Sequence, residues 1–220
     1  MIKIWYFAGC LFDEYPVFLY NKLVGDIMIG YDFDKTIYKG DSSTDFFFYM
    51  VFSRPYLLVF IPYFLIVFAL YGMKIMGKKR FKECMFFFVP WHSNIEKIVD
   101  KFWARHANRL MKWYPPQKKD DEDIIVSASL SFIIKPVLDM LNIKNYLATN
   151  YNVKTGKIYG KNCYGEAKVE EFKRVYPKAK LEAFYSDSLS DLPMMRISDK
   201  AYLVKGETIS EIDVKDYNAE

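Results

Sequence analysis

Little in this chain points to chemistry built on cysteine. Its three cysteines, Cys10, Cys84 and Cys163, are scattered along 220 residues, odd in number and without metal-ligand spacing. That pattern excludes a disulfide framework and a zinc site, and it favours a reducing, cytosolic compartment. No secretory leader is legible, because Asp13 and Glu14 interrupt the N-terminal apolar stretch and no small-residue cleavage site follows. Internal repeats and low-complexity tracts are missing as well. Charge is nearly balanced, with 31 Lys and Arg against 27 Asp and Glu, a net of +4, so nothing argues for nucleic acid as a partner. Apolar side chains are plentiful at 52%, and aromatic ones reach 19%. Such a chain can bury a core, and its aromatic share suggests that some apolar surface meets something other than water.

Residues 1–25 read as an aromatic N-terminal extension without a motif. Residues 26–33 (DIMIGYDF) read as a short buried strand, followed by a turn-rich loop, DKTIYKGDSST. Residues 44–115 are apolar and aromatic with helical character, and KWYPPQKKDDED reads as a return linker. From Ile124 onward, strands alternate with helices. IIVSAS (124–129), 145–153, 181–187 and 200–206 are the expected strands, the last of them closing the sheet. Ser131 is the expected cap of one helix, and residues 166–176 form another. This alternation predicts an α/β fold with a central parallel sheet covered on both faces. The core is then 26–43 together with 116–220, and 44–115 is an inserted helical cap.

Four groups of residues are placed for chemistry, although each also has an ordinary explanation as a turn, a strand end or a solvated helix face. Asp32 and Asp34 follow the first strand at its carboxyl end, where active sites of open α/β sheets lie. One carboxylate can attack phosphorus while the other handles a proton. Ser127 closes the second strand and can donate to a phosphoryl oxygen. Lys168 falls in the first turn of the helix after Gly165, where its ammonium and the helix N-terminus can meet one anion. Asp187 and Asp191 follow a further strand in YSDSLSDLP and offer the hard oxygen ligands that magnesium prefers.

The order strand-DxDxT, strand-Ser, Lys at a helix start, strand-DSxSD resembles the haloacid dehalogenase superfamily over residues 26–206. NCYGEAKV, YSDSLSDLP and the insertion after the first motif are most similar to its phosphoserine-phosphatase-like branch. The resemblance implies a Rossmann-like core with a helical cap and a phosphatase working through an aspartyl-phosphate. In it, Asp32 is the nucleophile and Asp34 the general acid and base. Mg2+ is held by Asp32, Asp187, the backbone carbonyl of Asp34 and Asp191, while Ser127 and Lys168 hold the phosphoryl oxygens. The branch often carries Gly after the second aspartate, where this chain has Lys35. A phosphotransferase of the same fold is the enzymatic alternative. A receiver-type signalling domain does not fit the large insertion, and a non-catalytic membrane module does not explain the complete set of catalytic residues.

Residues 55–73 carry no charge and are long enough to span a bilayer. A single crossing is disfavoured, because it would separate Asp32 from Ser127, Lys168 and Asp187. Two readings are open: the run is the buried core of the cap, or it dips into one leaflet. In the second, Lys74, Lys78, Lys79, Arg80 and Lys82 face lipid phosphates. The cap also resembles that of the phosphatidylglycerophosphatase C enzymes, which implies a lipid phosphate as substrate and a location at the inner face of the cytoplasmic membrane. A phosphorylated small molecule such as phosphoserine is the alternative, though the cap offers few polar groups near the first motif: Asp41, Asp45 and Arg54.

Overall fold

The structure, a computed structural model, describes residues 27–114 and 123–217. The N-terminal extension and the Pro-Pro part of the return linker lie outside the described residues. Strand β1 (Ile27–Tyr31) is central, flanked on one side by β2 (Asp123–Leu130) and β3 (Asn145–Thr149). On the other side stand β6 (Lys180–Ser186), β7 (Ser198–Lys205) and β8 (Thr208–Ile212). The first five strands in space are parallel, and β8 runs antiparallel to β7. The apolar runs of the central strands β1 and β2 follow from burial on both faces. Helix α5 (Ser131–Met140) packs against the cap on one face. On the other, α6 (Glu166–Val175) and α7 (Leu192–Arg196) close a second cluster around Phe172, Phe184, Met194 and Met195.

Three local expectations are corrected. Residues 145–153 do not form one strand. The chain breaks at Asn150, and Tyr151–Asn152 (β4) pairs antiparallel with Lys157–Ile158 (β5) in a separate hairpin. Strand β7 is not the last, since Gly206 adopts φ 62° and, with Glu207, turns the chain back into β8. Ser131 does not cap α5; it is the first helical residue, and its hydroxyl accepts from the Tyr151 amide at 3.3 Å instead.

The cap holds α1 (Ser42–Ser53), α2 (Ile61–Gly72), α3 (Lys78–Met85) and α4 (Ile95–His106). Asp41 caps α1 by accepting from the Thr44 amide at 2.7 Å. The inner faces of α1 and α4 build an aromatic core in which Phe46 meets Phe102 and Phe132 edge to face. Trp103 is fully buried and packs edge-on against Phe33 and Tyr38 of the first motif loop. Its indole donates to the Ile133 carbonyl at 2.7 Å. One tryptophan thus ties the cap to both the motif loop and the core.

The uncharged run behaves differently from that aromatic core. Pro55–Phe60 is a 3-10 turn that continues into α2, and Pro62 stands in the first turn of α2, where a missing amide costs nothing. Only Leu57, Phe64 and Val67 of this stretch are buried. Val59, Leu65, Ile66 and Phe68 are exposed, with Val59 at 77%, so the run is not the core of the cap. Pro55–Gly72 is long and apolar enough, at a mean hydropathy of 2.0, to cross a membrane by length and composition.

Candidate active site

Asp32 directly follows β1, and its amide donates to the Tyr185 carbonyl of β6 at 2.8 Å. Tyr31 pairs with Ile125 on one side and Tyr185 on the other. The ends of β1 and β6 therefore bring Asp32 and the loop of Asp187 to one edge of the sheet, where the strand order switches sides about β1. Ser127 does not close its strand as expected: β2 runs on to Leu130, and Ser127 lies inside it, two residues beyond the partner of Tyr31. Lys168 comes from the first turn of α6, behind Gly165, whose φ of 56° makes the abrupt entry.

Lys168 is the hub. Its Nζ donates to Asp32 Oδ1 and to Asp191 Oδ2, both at 2.8 Å, and all three side chains are buried. Asp191 Oδ2 also accepts from the Ser186 hydroxyl at 2.8 Å. Burial, joined by the charges of Asp191 and Asp34, raises the Asp32 carboxyl to about 7 against the opposing pull of Lys168. Burial lowers the tendency of Lys168 to stay charged, but the two carboxylates outweigh it and hold the ammonium protonated.

Asp34 is gripped on both oxygens. The Ser42 amide at the start of α1 donates to Oδ1 at 2.8 Å, and the Ser129 hydroxyl donates to Oδ2. Ser42 Oγ in turn donates to Ser129 Oγ at 2.9 Å. Burial raises Asp34 to about 6, with the charge of Asp41 adding and the Ser129 and Ser42 hydrogen bonds opposing. A carboxyl titrating near neutrality suits proton transfer in both directions.

Ser127 is fully buried, and its hydroxyl accepts from the Ser129 amide at 3.0 Å. It forms no hydrogen bond to Asp32, Asp34 or Lys168 among the described residues. Asp187 is half-buried. Its amide donates to the Thr36 hydroxyl at 2.9 Å, which locks the first motif loop to the acidic loop.

Ser129 and Thr36 are site residues that sequence reasoning left without a role. Ser129 had a signal: it is two residues from Ser127 on one strand, so both point to the same side. Thr36 stood in the DxDxT motif, but its role was not readable, because its partner lies 151 residues away. Replacing Ser129 with Ala frees Asp34 on one side. Small displacements of a catalytic group are costly, so turnover should fall by about 10–100-fold with little change in KM. Steady-state kinetics of Ser129→Ala checks this.

Lys35 takes φ 59°, the left-handed conformation that glycine prefers, and its amide donates to the Gly40 carbonyl at 3.0 Å. The motif thus keeps a glycine-like backbone with lysine in place. Lys35 is exposed, so Lys35→Gly should stabilise the fold by about 1 kcal/mol in urea unfolding.

Among the described residues, no three acidic, histidine or cysteine side chains are already gathered into a metal cluster. The donors nonetheless suit a hard cation. Asp191 Oδ1 is buried with no hydrogen-bond partner, and Asp32, Asp187 and Asp191 offer only carboxylate oxygens.

The profile of the haloacid dehalogenase-like hydrolases matches residues 29–196. A probable phosphatase of Mycobacterium tuberculosis (strain ATCC 25618 / H37Rv) is 35% identical over 89 residues, covering 37% of this chain and 31% of that protein. The chain therefore spans about a third of the length of the curated relative it matches. Among solved structures, a Bordetella pertussis Tohama I protein of unknown function superposes with a TM-score of 0.65 at 18% identity, over 81% of this chain and 89% of that one. A probable phosphoserine phosphatase from Vibrio cholerae gives 0.56 at 13% identity, over 81% of this chain and 57% of that one. At these identities the likeness concerns the fold.

Proposed function

The chain belongs to the haloacid dehalogenase-like hydrolase family, and we propose that it is a magnesium-dependent phosphatase acting on a lipid phosphate at the inner face of the cytoplasmic membrane. The observation that carries the catalytic part is the buried Asp32–Lys168–Asp191 cluster at the carboxyl ends of β1 and β6.

In this reading Asp32 attacks phosphorus and the bond to the leaving oxygen breaks, giving an aspartyl-phosphate and an alcohol. Asp34, held by Ser42 and Ser129, gives its proton to that alcohol oxygen. It then takes a proton from the water that attacks phosphorus, releasing phosphate and restoring Asp32. Lys168 offsets the negative charge of the incoming phosphoryl group, and Ser127 donates to one of its oxygens. Magnesium, when bound, would be held by Asp32, Asp187, Asp191 and the Asp34 carbonyl, and would supply positive charge on the phosphoryl oxygens.

The lipid part rests on the exposed face of Pro55–Gly72. Moving each of its exposed large side chains out of water is worth about 1–2 kcal/mol, and the helix is suited to lie in one leaflet. A single crossing is incompatible with the Asp32–Lys168 contact, since the two residues flank the run in sequence and meet at 2.8 Å. The basic stretch is divided in its contacts. Lys78 lies over the Tyr164 ring, Lys79 donates to the Gly160 carbonyl, and Lys82 enters the seam between cap and core. Among the described residues, Lys74 and Arg80 are the exposed cations of this stretch without such a contact to the core.

The test is phosphate release from phosphatidylglycerophosphate in detergent, phosphoserine and an aryl phosphate, each with magnesium or with chelator, alongside liposome sedimentation. Magnesium-dependent release that favours the lipid, together with sedimentation lost in Val59→Asp/Leu65→Asp/Ile66→Asp, is the expected result. Preference for phosphoserine without liposome binding would replace the lipid reading with a soluble one. Transfer to added alcohols in place of water would make the enzyme a phosphotransferase.

A further inference from the structure

Helix α3 carries Lys82 into the seam between cap and core, where Nζ donates to the Ala128 carbonyl at 2.5 Å and to Asn162 Oδ1 at 2.7 Å. Both acceptors are neutral. Thr149 Oγ1 lies within hydrogen-bond distance of the same two oxygens, at 2.7 Å and 3.2 Å, and its one hydrogen can satisfy either of them without the lysine. Neither acceptor calls for a positive charge. Lys82 forms no ion pair among the described residues, although Lys79, Arg80 and Lys82 share one short helix and Arg80 has Glu83. An ammonium drawn out of water without a counter-ion is unfavourable, and an uncharged side chain of similar length would serve the fold better. It has three N–H donors and two acceptors here. Burial lowers its pKa to about 8, while the charges of Asp34 and Asp41 oppose the fall.

The location gives the cation a purpose. Ala128 lies between Ser127, which faces the phosphoryl group in the proposed reaction, and Ser129, which holds the proton donor Asp34. Lys168 is tied to the ends of β1 and β6 through Asp32 and Asp191, whereas Lys82 is tied to β2 and, through Thr149, to β3. The two lysines thus reach the site from different helices, α6 and α3, and are anchored on different strands. Lys82 belongs on the side of Asp34, where the leaving alcohol departs.

We propose that Lys82 is a specificity-determining residue that pairs with a second anionic group on the leaving alcohol, so that the substrate is a phosphate monoester carrying another negative charge. The inference rests on the phosphatase reading and deepens it. The second anion is either the carboxylate of a soluble metabolite or the phosphodiester of a lipid headgroup. Lys82 suits both, being a point charge with donors to spare.

Three matched phosphate monoesters separate the cases. Glycerol phosphate has no second anion, phosphoglycerate carries a carboxylate, and the deacylated headgroup of phosphatidylglycerophosphate carries a phosphodiester. The full-length chain should prefer one of the anionic pair over glycerol phosphate by tenfold or more in kcat/KM. That preference should collapse toward one in Lys82→Met and survive in Lys82→Arg. The favoured anion identifies the source. Absence of preference in the wild type, or an equal fall on all three substrates in Lys82→Met, overturns the proposal. Equilibrium binding of the same three compounds to Asp32→Asn, with and without Lys82→Met, reads the preference without turnover. An enzyme that hydrolyses none of them would contradict the phosphatase reading alone. Binding to Asp32→Asn that ignores the second anion would contradict the role of Lys82.

Discussion

Asp32→Asn should abolish magnesium-dependent phosphate release, by a factor of about 10³ or more, while leaving the fold intact. The amide is isosteric with the carboxylate, and Oδ1 can still accept the 2.8 Å hydrogen bond from Lys168. What it lacks is the nucleophilic oxygen that forms the covalent intermediate. Its neutrality also removes a charge that is expensive to bury: burial is the largest influence on Asp32 and works against ionisation. The variant should therefore be as stable as the wild type in urea, or slightly more so, and still bind substrate. A variant that is inactive because it is unfolded would be a different result, and circular dichroism separates the two.

Removal of Lys168 should have the opposite balance, with a large loss of stability as well as of activity. Its ammonium is the shared partner of Asp32 and Asp191 in a fully buried cluster. Lys168→Met leaves two buried carboxylates without a cation, a change that costs about 3–5 kcal/mol in comparable buried pairs. The loss should depend on pH. In the variant, the stranded carboxyls have folded-state pKa values raised above the unfolded value of about 3.9. The native state then binds more protons than the unfolded one, and stability falls as pH rises from that value through the folded pKa. Urea unfolding should show a larger deficit at pH 8 than at pH 5. An equal deficit at the two pH values would mean that the carboxylates find another partner.

The central strands were legible because they are local, and the candidate site because its separate motifs follow the order of the family that the chain resembles. Strands β1 and β2 contain compact apolar runs, and position along the strands is enough to bring Asp32, Asp187 and the neighbourhood of Ser127 to one edge. Strand β8 was missed because its side chains are mostly exposed and it has no buried stripe. The signal that remained was the Gly206-Glu207 turn. The break after Thr149 was hidden because residues 145–153 read as one run of β-prone side chains, while Tyr151 leaves the sheet to pair with Ile158. Contacts made across long separations were not readable at all. Thr36 holding Asp187, Ser129 holding Asp34, and Lys82 entering the mouth from the cap all depend on how the cap sits on the core.

The fate of the uncharged run also could not be decided from composition, since a buried helix and a lipid-facing one have the same residues. Burial excludes only the core reading here, since most of the run is exposed. Glu83 and Phe81 fasten α3 to the rest of the molecule, Glu83 by accepting from the Ile158 amide at 3.0 Å and Phe81 by stacking on Tyr71. The neighbouring α2 keeps its apolar face outward. A helix packed through one face while the other stays bare supports the proposed membrane-surface contact.

The most direct test of the central claim is chemical trapping of the intermediate. The chain is mixed with magnesium and an excess of aryl phosphate, quenched during turnover, treated with borohydride, and digested for mass spectrometry. An aspartyl-phosphate is an acyl phosphate, which borohydride reduces to the alcohol, whereas free carboxylates are left unchanged. The account predicts reduction at residue 32 alone, dependent on substrate and absent in Asp32→Asn. Reduction at another carboxylate, or sustained phosphate release with none trapped at residue 32, would contradict it.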